Sequence, residues 1–233
     1  MASPAGTLKP AGAPAGKAGN EPGAEPGRDC PLCPRLGEFR RANRAANPDW
    51  HNAPVASFGG ADASLLIVGL APGLRGANLT GRPFTGDYAG VLLYDTLLKF
   101  GLAEGSYGAR ADDGLKLANC RITNAVRCVP PQNKPTGAEV KACRRFLAAE
   151  IASLSRLKVI LALGAVAHGA VLAALGLRKS AHPFGHGRMH RLSGALTLAD
   201  SYHCSRYNTN TGKLTPEMFE AVFRDVTARL PGR

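Results

Sequence analysis

The sequence predicts an α/β fold, a three-layer α-β-α arrangement around a central, mainly parallel, four-stranded sheet. Three observations carry this. Short apolar runs of strand length alternate along the chain with longer helical segments. A long Gly-rich loop joins the first such run to the first helix, as in open sheets that bind ligands beyond their strand ends. And 233 residues with 45% hydrophobic content suffice for one full core.

The elements follow in order. Residues 1–28 form a Pro/Ala/Gly tract with few large apolar side chains. Such a tail cannot bury enough surface to offset its ordering entropy, so it is expected to be disordered, and residues 29–233 to form a single domain. A cysteine-bearing segment follows, with Phe39 and the basic residues Arg35, Arg40, Arg41 and Arg44. The first strand is expected over 65–70 and the first helix over 90–100. The second strand, 121–126, leads into Cys128. Thr136 and Glu139 stand in capping-box spacing, which starts a helix running to about residue 154. A strand over 159–163 passes directly into a helix over 165–175. The last strand, 196–199, ends at Ser201-Tyr202-His203. Thr215 followed by Pro216 opens the final helix, 216–230. No internal repeat is visible.

Residues 69–90, GLAPGLRGANLTGRPFTGDYAG, are the most informative stretch. They lack both the Gly-Lys-Ser/Thr ending of a phosphate loop and GxGxxG spacing. They offer glycines for close backbone approach, one flat aromatic (Phe84), and the short polar side chains Asn78, Thr85 and Asp87. That set suits a flat heterocycle better than a triphosphate. Asp87 also stands where it could cap the next helix. The loops after the first, second and last strands fall on one sheet edge, so Phe84, Asn124 and His203 converge on one pocket.

The cysteines add a second landmark. Cys30 and Cys33 form CxxC in a Pro-rich loop, and Cys128 and Cys143 form a distant pair. Four such thiolates can hold one metal centre, zinc or an iron–sulfur cluster; spacing does not choose between them. Cys120 and Cys204 stand alone. The formal net charge is +12, with the basic residues spread through the folded part, including Arg178, Lys179, Arg188, Arg191, Arg206 and Lys213. This points to a nucleic-acid partner. No apolar leader and no membrane-length run is present, so a cytoplasmic, nucleoid-associated monomer in a reducing compartment is expected.

The motif GLAPGLRGANLTGRPFTGD, the segment from Thr123 to Pro131 (TNAVRCVPP), the Cys128–Cys143 spacing and the segment from Tyr202 to Thr209 (YHCSRYNT) occur in that order. Together they resemble the uracil-DNA glycosylase superfamily, above all its family 5, the type B branch with an iron–sulfur cluster. Trp50, Pro54-Val55 and Phe58-Gly59 are similar to a further family segment, with Asn52-Ala53 shifting its spacing and Ser57 in place of Gly. Ala71 stands where other branches carry an acidic or amide residue, and Cys204 stands where the family commonly has Pro.

The resemblance implies a DNA repair enzyme that flips uracil, and with it hypoxanthine or etheno-bases, out of DNA and hydrolyses the N-glycosidic bond. It implies that Phe84 stacks on the base, that Asn124 and backbone groups of Leu70 and Ala71 read its edge, and that His203 stabilises the departing anion. Asn78 and Asp87 remain alternatives for holding the water. It implies a [4Fe–4S] cluster on Cys30, Cys33, Cys128 and Cys143. Ser205, Arg206, Asn208 and Lys213 are placed on the DNA. Two other classes compete: a non-catalytic iron–sulfur nucleic-acid-binding module, and a zinc-stabilised nucleotide enzyme, against which the missing phosphate loop argues.

Overall fold

Along the two innermost strands the apolar side chains divide between two faces. Leu65 and Ile67 enter one core cluster, while Leu66 and Val68 enter another. Val159 and Leu161 likewise face away from Ile160 and Ala162. Strands buried on both faces read as continuous apolar runs rather than alternating ones, which is the pattern of a parallel sheet covered by helices. The structure, a computed structural model, describes residues 25–231.

The helices sort onto these faces. Residues of α3 (Tyr88–Lys99) and α7 (Pro216–Thr227), among them Leu93, Leu97, Phe219 and Phe223, fill the first cluster. Residues of α4 (Gly137–Ser153) and α5 (Ala165–Ala174), among them Leu147, Ile151 and Val171, fill the second. Burying each Leu, Ile, Val or Phe stabilises the fold by about 1.5–3 kcal/mol, the main force holding the three layers together.

The main sheet runs in the order β1-β5-β2-β6-β8-β7. Its centre is the four strands expected: β2 (Leu65–Gly69), β5 (Cys120–Asn124), β6 (Val159–Leu163) and β8 (Thr197–Ser201), all parallel. The sheet has six strands, however, not four. β1 (Phe58–Gly59) and β7 (Met189–Arg191) cover the two edges in antiparallel fashion. Strands this short carry too little periodicity to be read from sequence. A separate hairpin pairs β3 (Ala103–Glu104) with β4 (Lys116–Leu117).

The helix starts obey local chemistry. Thr136 accepts from the Glu139 amide (3.3 Å), and Glu139 accepts from the Thr136 amide (2.7 Å), closing the capping box. Thr215 accepts from the Met218 amide at 3.2 Å. The cysteine segment contains a helix that the sequence reading did not delimit, α1 (Pro34–Ala46), opened by Pro34 at its first position.

The expected tail, 1–28, lies outside the described residues up to position 24. Glu25 is described, and it belongs to the fold. It pairs with Arg127 at 2.9 Å, and Arg127 also meets Glu150 at 2.5 Å and Ser57 at 2.7 Å. Arg127 is 2% exposed, so its buried charge depends on these partners. This network ties Glu25 to the segment that follows β5.

Candidate active site

The carboxyl ends of β2, β5 and β8 meet at one pocket of about 570 Å³, within the range of small-molecule sites. Leu70, Ala71, Asp87 and His203 line it. Phe84 and Asn124 sit immediately behind. The Phe84 ring stacks on His203 (centroids 5.8 Å apart, planes at 26°). A methyl group placed on Gly69 would collide with Asn124 Oδ1 and come within 2.5 Å of Phe84 Cζ. Gly69 is therefore required by close approach, and Phe84, Asn124 and His203 are neighbours. Phe84 adopts φ +53°, a conformation unusual for a bulky residue.

Asn124 Oδ1 is buried and has no hydrogen-bond partner among the described residues. An orphaned acceptor of this kind costs about 1–3 kcal/mol unless a ligand satisfies it. His203 is partly buried, and burial pushes its imidazole down to about 4, so the ring is neutral at neutral pH.

The two candidates for holding a water separate in space. Asp87 caps α3, accepting from the Gly90 amide at 3.3 Å through Oδ1. Its Oδ2 leans toward Gly73 and Gly76, where added methyl groups would lie 2.8 and 2.5 Å away. Burial raises the carboxyl above its usual range, partly countered by the Gly90 and Ala89 amides. Asn78 is fully buried in α2 (Ala77–Thr80), and its Nδ2 donates to Asn52 Oδ1 at 2.9 Å. It is not among the pocket-lining residues.

The expected DNA contacts lie on α6 (Arg206–Asn210) and just beyond it. Arg206 is exposed, and its guanidinium lies 5.4 Å from the Tyr88 ring across the pocket mouth. Lys213 is exposed, its ammonium 5.0 Å from the Tyr202 ring. Ser205 caps α6, and Asn208 turns inward, donating to the His203 carbonyl at 2.8 Å. The loop carrying His203 is thus held by its own helix. The sequence reading missed Arg75, Tyr88 and Asn133 at the pocket. Asn133, at φ +55°, stands within the PPQNK run that follows Cys128, a turn-rich signal that could have found it. It also missed a buried polar cluster, in which Asp200 meets His168 at 2.7 Å and His190 at 3.2 Å, just ahead of His203.

Cys30, Cys33, Cys128 and Cys143 line a second, tight cavity of about 10 Å³. The Arg127 amide and Arg40 Nη1 donate to Cys143 and Cys128 respectively, each at 3.4 Å. Burial pushes the Cys128 thiol up to about 11 and the Cys143 thiol up to about 12, so without a metal both stay neutral. Arg40 is 3% exposed, meets no carboxylate within 4 Å among the described residues, and leaves Nε without a partner. A metal centre that holds the cysteines as thiolates supplies the negative charge this buried guanidinium lacks, so the residues fit such a group. Cys120 and Cys204 are elsewhere in the core.

Comparison with known proteins places this geometry. A profile of the uracil DNA glycosylase superfamily matches residues 56–227. The chain is 48% identical over 210 residues to a type-5 uracil-DNA glycosylase of Thermus thermophilus, covering 87% of this chain and 94% of that one. It is 41% identical over 205 residues to the type-5 enzyme of Mycobacterium tuberculosis, covering 84% and 76%. A type-4 uracil-DNA glycosylase of Thermotoga maritima is 37% identical over 114 residues, 48% of this chain and 51% of that one. The chain belongs to the uracil-DNA glycosylase superfamily and groups there with the type-5 enzymes.

Proposed function

We infer that this protein excises uracil from DNA, cleaving the N-glycosidic bond and leaving an abasic site. One observation carries the assignment of the pocket: Asn124 Oδ1, buried and unpartnered, beside the Phe84 ring. Uracil presents an N–H donor flanked by carbonyl acceptors, so its edge answers an amide side chain, and its flat face answers Phe84. The base must leave the stack to reach this depth, at a cost of a few kcal/mol that stacking and hydrogen bonds offset.

In the reaction the bond between the sugar carbon and the base nitrogen breaks, and its electron pair stays with the base. The sugar becomes oxocarbenium-like and the base anionic. His203, neutral in this site, donates a ring N–H to the developing charge on a uracil carbonyl. A preorganised donor of this kind contributes about 3 kcal/mol. Water adds to the sugar carbon, and the Asp87 carboxylate orients it and accepts its proton. Backbone groups of Leu70 and Ala71 complete the edge contact. Ala71 offers no polar side chain here, so departure of the base carries more of the barrier. Hypoxanthine and etheno-bases then become secondary substrates.

Cys30, Cys33, Cys128 and Cys143 would hold a [4Fe–4S] cluster whose role is structural. The likeness to the type-5 enzymes supports a cluster over a single zinc. The DNA would lie across the pocket mouth, with Arg206 and Lys213 on phosphates. Ser205 and Asn208 shape the loop that enters the minor groove, and Tyr207, 74% exposed, fills the gap left by the base.

A duplex carrying one uracil tests the reading. Release of free base with an alkali-labile abasic site is expected. Tight binding without release would leave a nucleic-acid-binding module in place of an enzyme.

A further inference from the structure

Phe84 does not hold its left-handed backbone conformation unaided. Tyr94 Oη donates to the Pro83 carbonyl at 2.6 Å. Tyr107 Oη donates to the Phe84 carbonyl and accepts from the Gly86 amide, both at 3.3 Å. Arg82 Nε donates to Thr85 Oγ1 at 2.7 Å. The loop is therefore gripped on each side of Phe84.

The grip continues outward. Arg82 is 5% exposed and bidentate to Asp113, with both contacts at 2.7 Å. Its guanidinium lies 5.1, 5.3 and 5.9 Å from the rings of Phe58, Tyr94 and Tyr107. Asp113 sits between β3 and β4, fixed by the amides of Gly108 (2.9 Å) and Leu115 (3.1 Å). Gly90 leaves room for the loop from the other side, since a methyl group there would collide with the Phe84 carbonyl. A bidentate guanidinium–carboxylate pair sets angle as well as distance, which a single contact cannot do. None of Arg82, Asp113 and Tyr107 lines the pocket.

We propose that Arg82, Asp113 and Tyr107 are positioning residues for base excision: they present the Phe84 ring to the extruded base, so the small β3–β4 hairpin sets the rate at a site it does not touch. The proposal rests on the reading of Phe84 as the stacking surface. Backbone conformations of this kind persist only where the surroundings over-determine them. Without the grip, Phe84 relaxes toward negative φ and its ring leaves Gly69 and His203.

The test compares Tyr107→Phe, Asp113→Asn, Phe84→Ala and the distant core variant Leu172→Ala. Single-turnover excision, half-saturating enzyme concentration, affinity for abasic-site duplex and Tm are measured well below every Tm. Tyr107→Phe removes one hydroxyl and keeps the ring stacked on Tyr94. It is expected to slow the maximal rate about tenfold, the scale of one to two lost buried hydrogen bonds. Half-saturation and abasic-site affinity should stay within about twofold. Asp113→Asn should behave alike, and Asp113→Glu should recover part of the rate. Should Asp113→Asn fail to fold, Tyr107→Phe decides alone. Normal rates in Tyr107→Phe and Asp113→Asn beside a slow Phe84→Ala would overturn the proposal. A normal Phe84→Ala rate would overturn the stacking reading instead. Equal slowing by Leu172→Ala at a matched fall in Tm would reduce the grip to plain stability and overturn the proposal too.

Discussion

Asp87→Asn separates helix capping from chemistry at a single atom. Asn caps helices about as well as Asp, so the bond from the Gly90 amide to Oδ1 survives and stability should change by only a few tenths of a kcal/mol. What disappears is the negative Oδ2 that leans into the pocket beside Gly73 and Gly76. A residue that orients water and takes its proton contributes about 10²–10⁴-fold. A loss of about a hundredfold in single-turnover rate is expected, or about 2.7 kcal/mol of barrier. The assay uses end-labelled duplex with one uracil, enzyme in excess, and alkaline strand scission, with abasic-site affinity and Tm measured alongside. Gly76→Ala offers an independent route to the same atom. Its methyl group would lie 2.5 Å from Oδ2 and 2.9 Å from Cγ, so the carboxylate must turn away and the rate must fall with it. Gly73→Ala touches only Oδ2, at 2.8 Å, and should be milder. An Asp87→Asn rate within about threefold of wild type would refute the reasoning. Asn78, with its buried amide, would then be the residue to test.

Other outcomes follow from the same geometry. His203→Ala should lower the excision rate about a hundredfold while leaving abasic-site affinity nearly intact, because its hydrogen bond strengthens only as the base becomes an anion; an unchanged single-turnover rate would remove its role. Because burial holds His203 down to about 4, the rate should show no inflection at the usual histidine value of about 6.5, and a limb there would contradict a neutral donor. The unfolded chain binds that proton below about pH 6.5 and the folded chain only near 4, so stability from this group should fall as pH drops through that window, read as Tm against pH. Cys128→Ser should give colourless protein with less iron per chain, and Arg40→Gln should weaken cluster retention; iron at the wild-type level in Cys128→Ser would refute the ligand set. DNA affinity should fall with salt at a log–log slope near −0.9 per neutralised phosphate, and Arg206→Ala should lower that slope by about one.

What the sequence made legible was periodic or chemically specific. β2 and β6 are apolar runs buried on both faces, and the more polar β5 and β8 lead straight into Cys128 and His203, so each appeared within a few residues of its place. The helix starts appeared because Thr136, Thr215 and Asp87 cap by side-chain chemistry that a sequence displays. The edge strands β1 and β7 did not appear, since two or three residues hold no period. The structure brings Phe84, Asn124 and His203 together, the convergence expected of the loop after the first strand and of the ends of the second and last. The choice between Asn78 and Asp87 was not legible, because both are short polar residues of one loop. Only the fold turns one inward to Asn52 and the other toward the pocket. The partners of Arg82 were hidden for a different reason. Asp113 lies across a hairpin that contributes nothing to the pocket wall, and no pattern links positions 31 residues apart.

The buried Arg40 has a consequence for how the protein comes into being. Its contact with Cys128 spans 88 positions of sequence, and the segment that carries it precedes every strand along the chain. Before metal arrives, docking that segment would bury a lone cation against neutral thiols. The newly made chain would therefore complete its sheet and later helices first and leave α1 undocked. On the proposed cluster reading, insertion would be the closing step of maturation, and it would close a long loop at the same stroke. Protein made under iron starvation should carry a folded core with an early segment open to proteases. Its first cleavages should map near α1, and reconstitution with iron and sulfide should protect them.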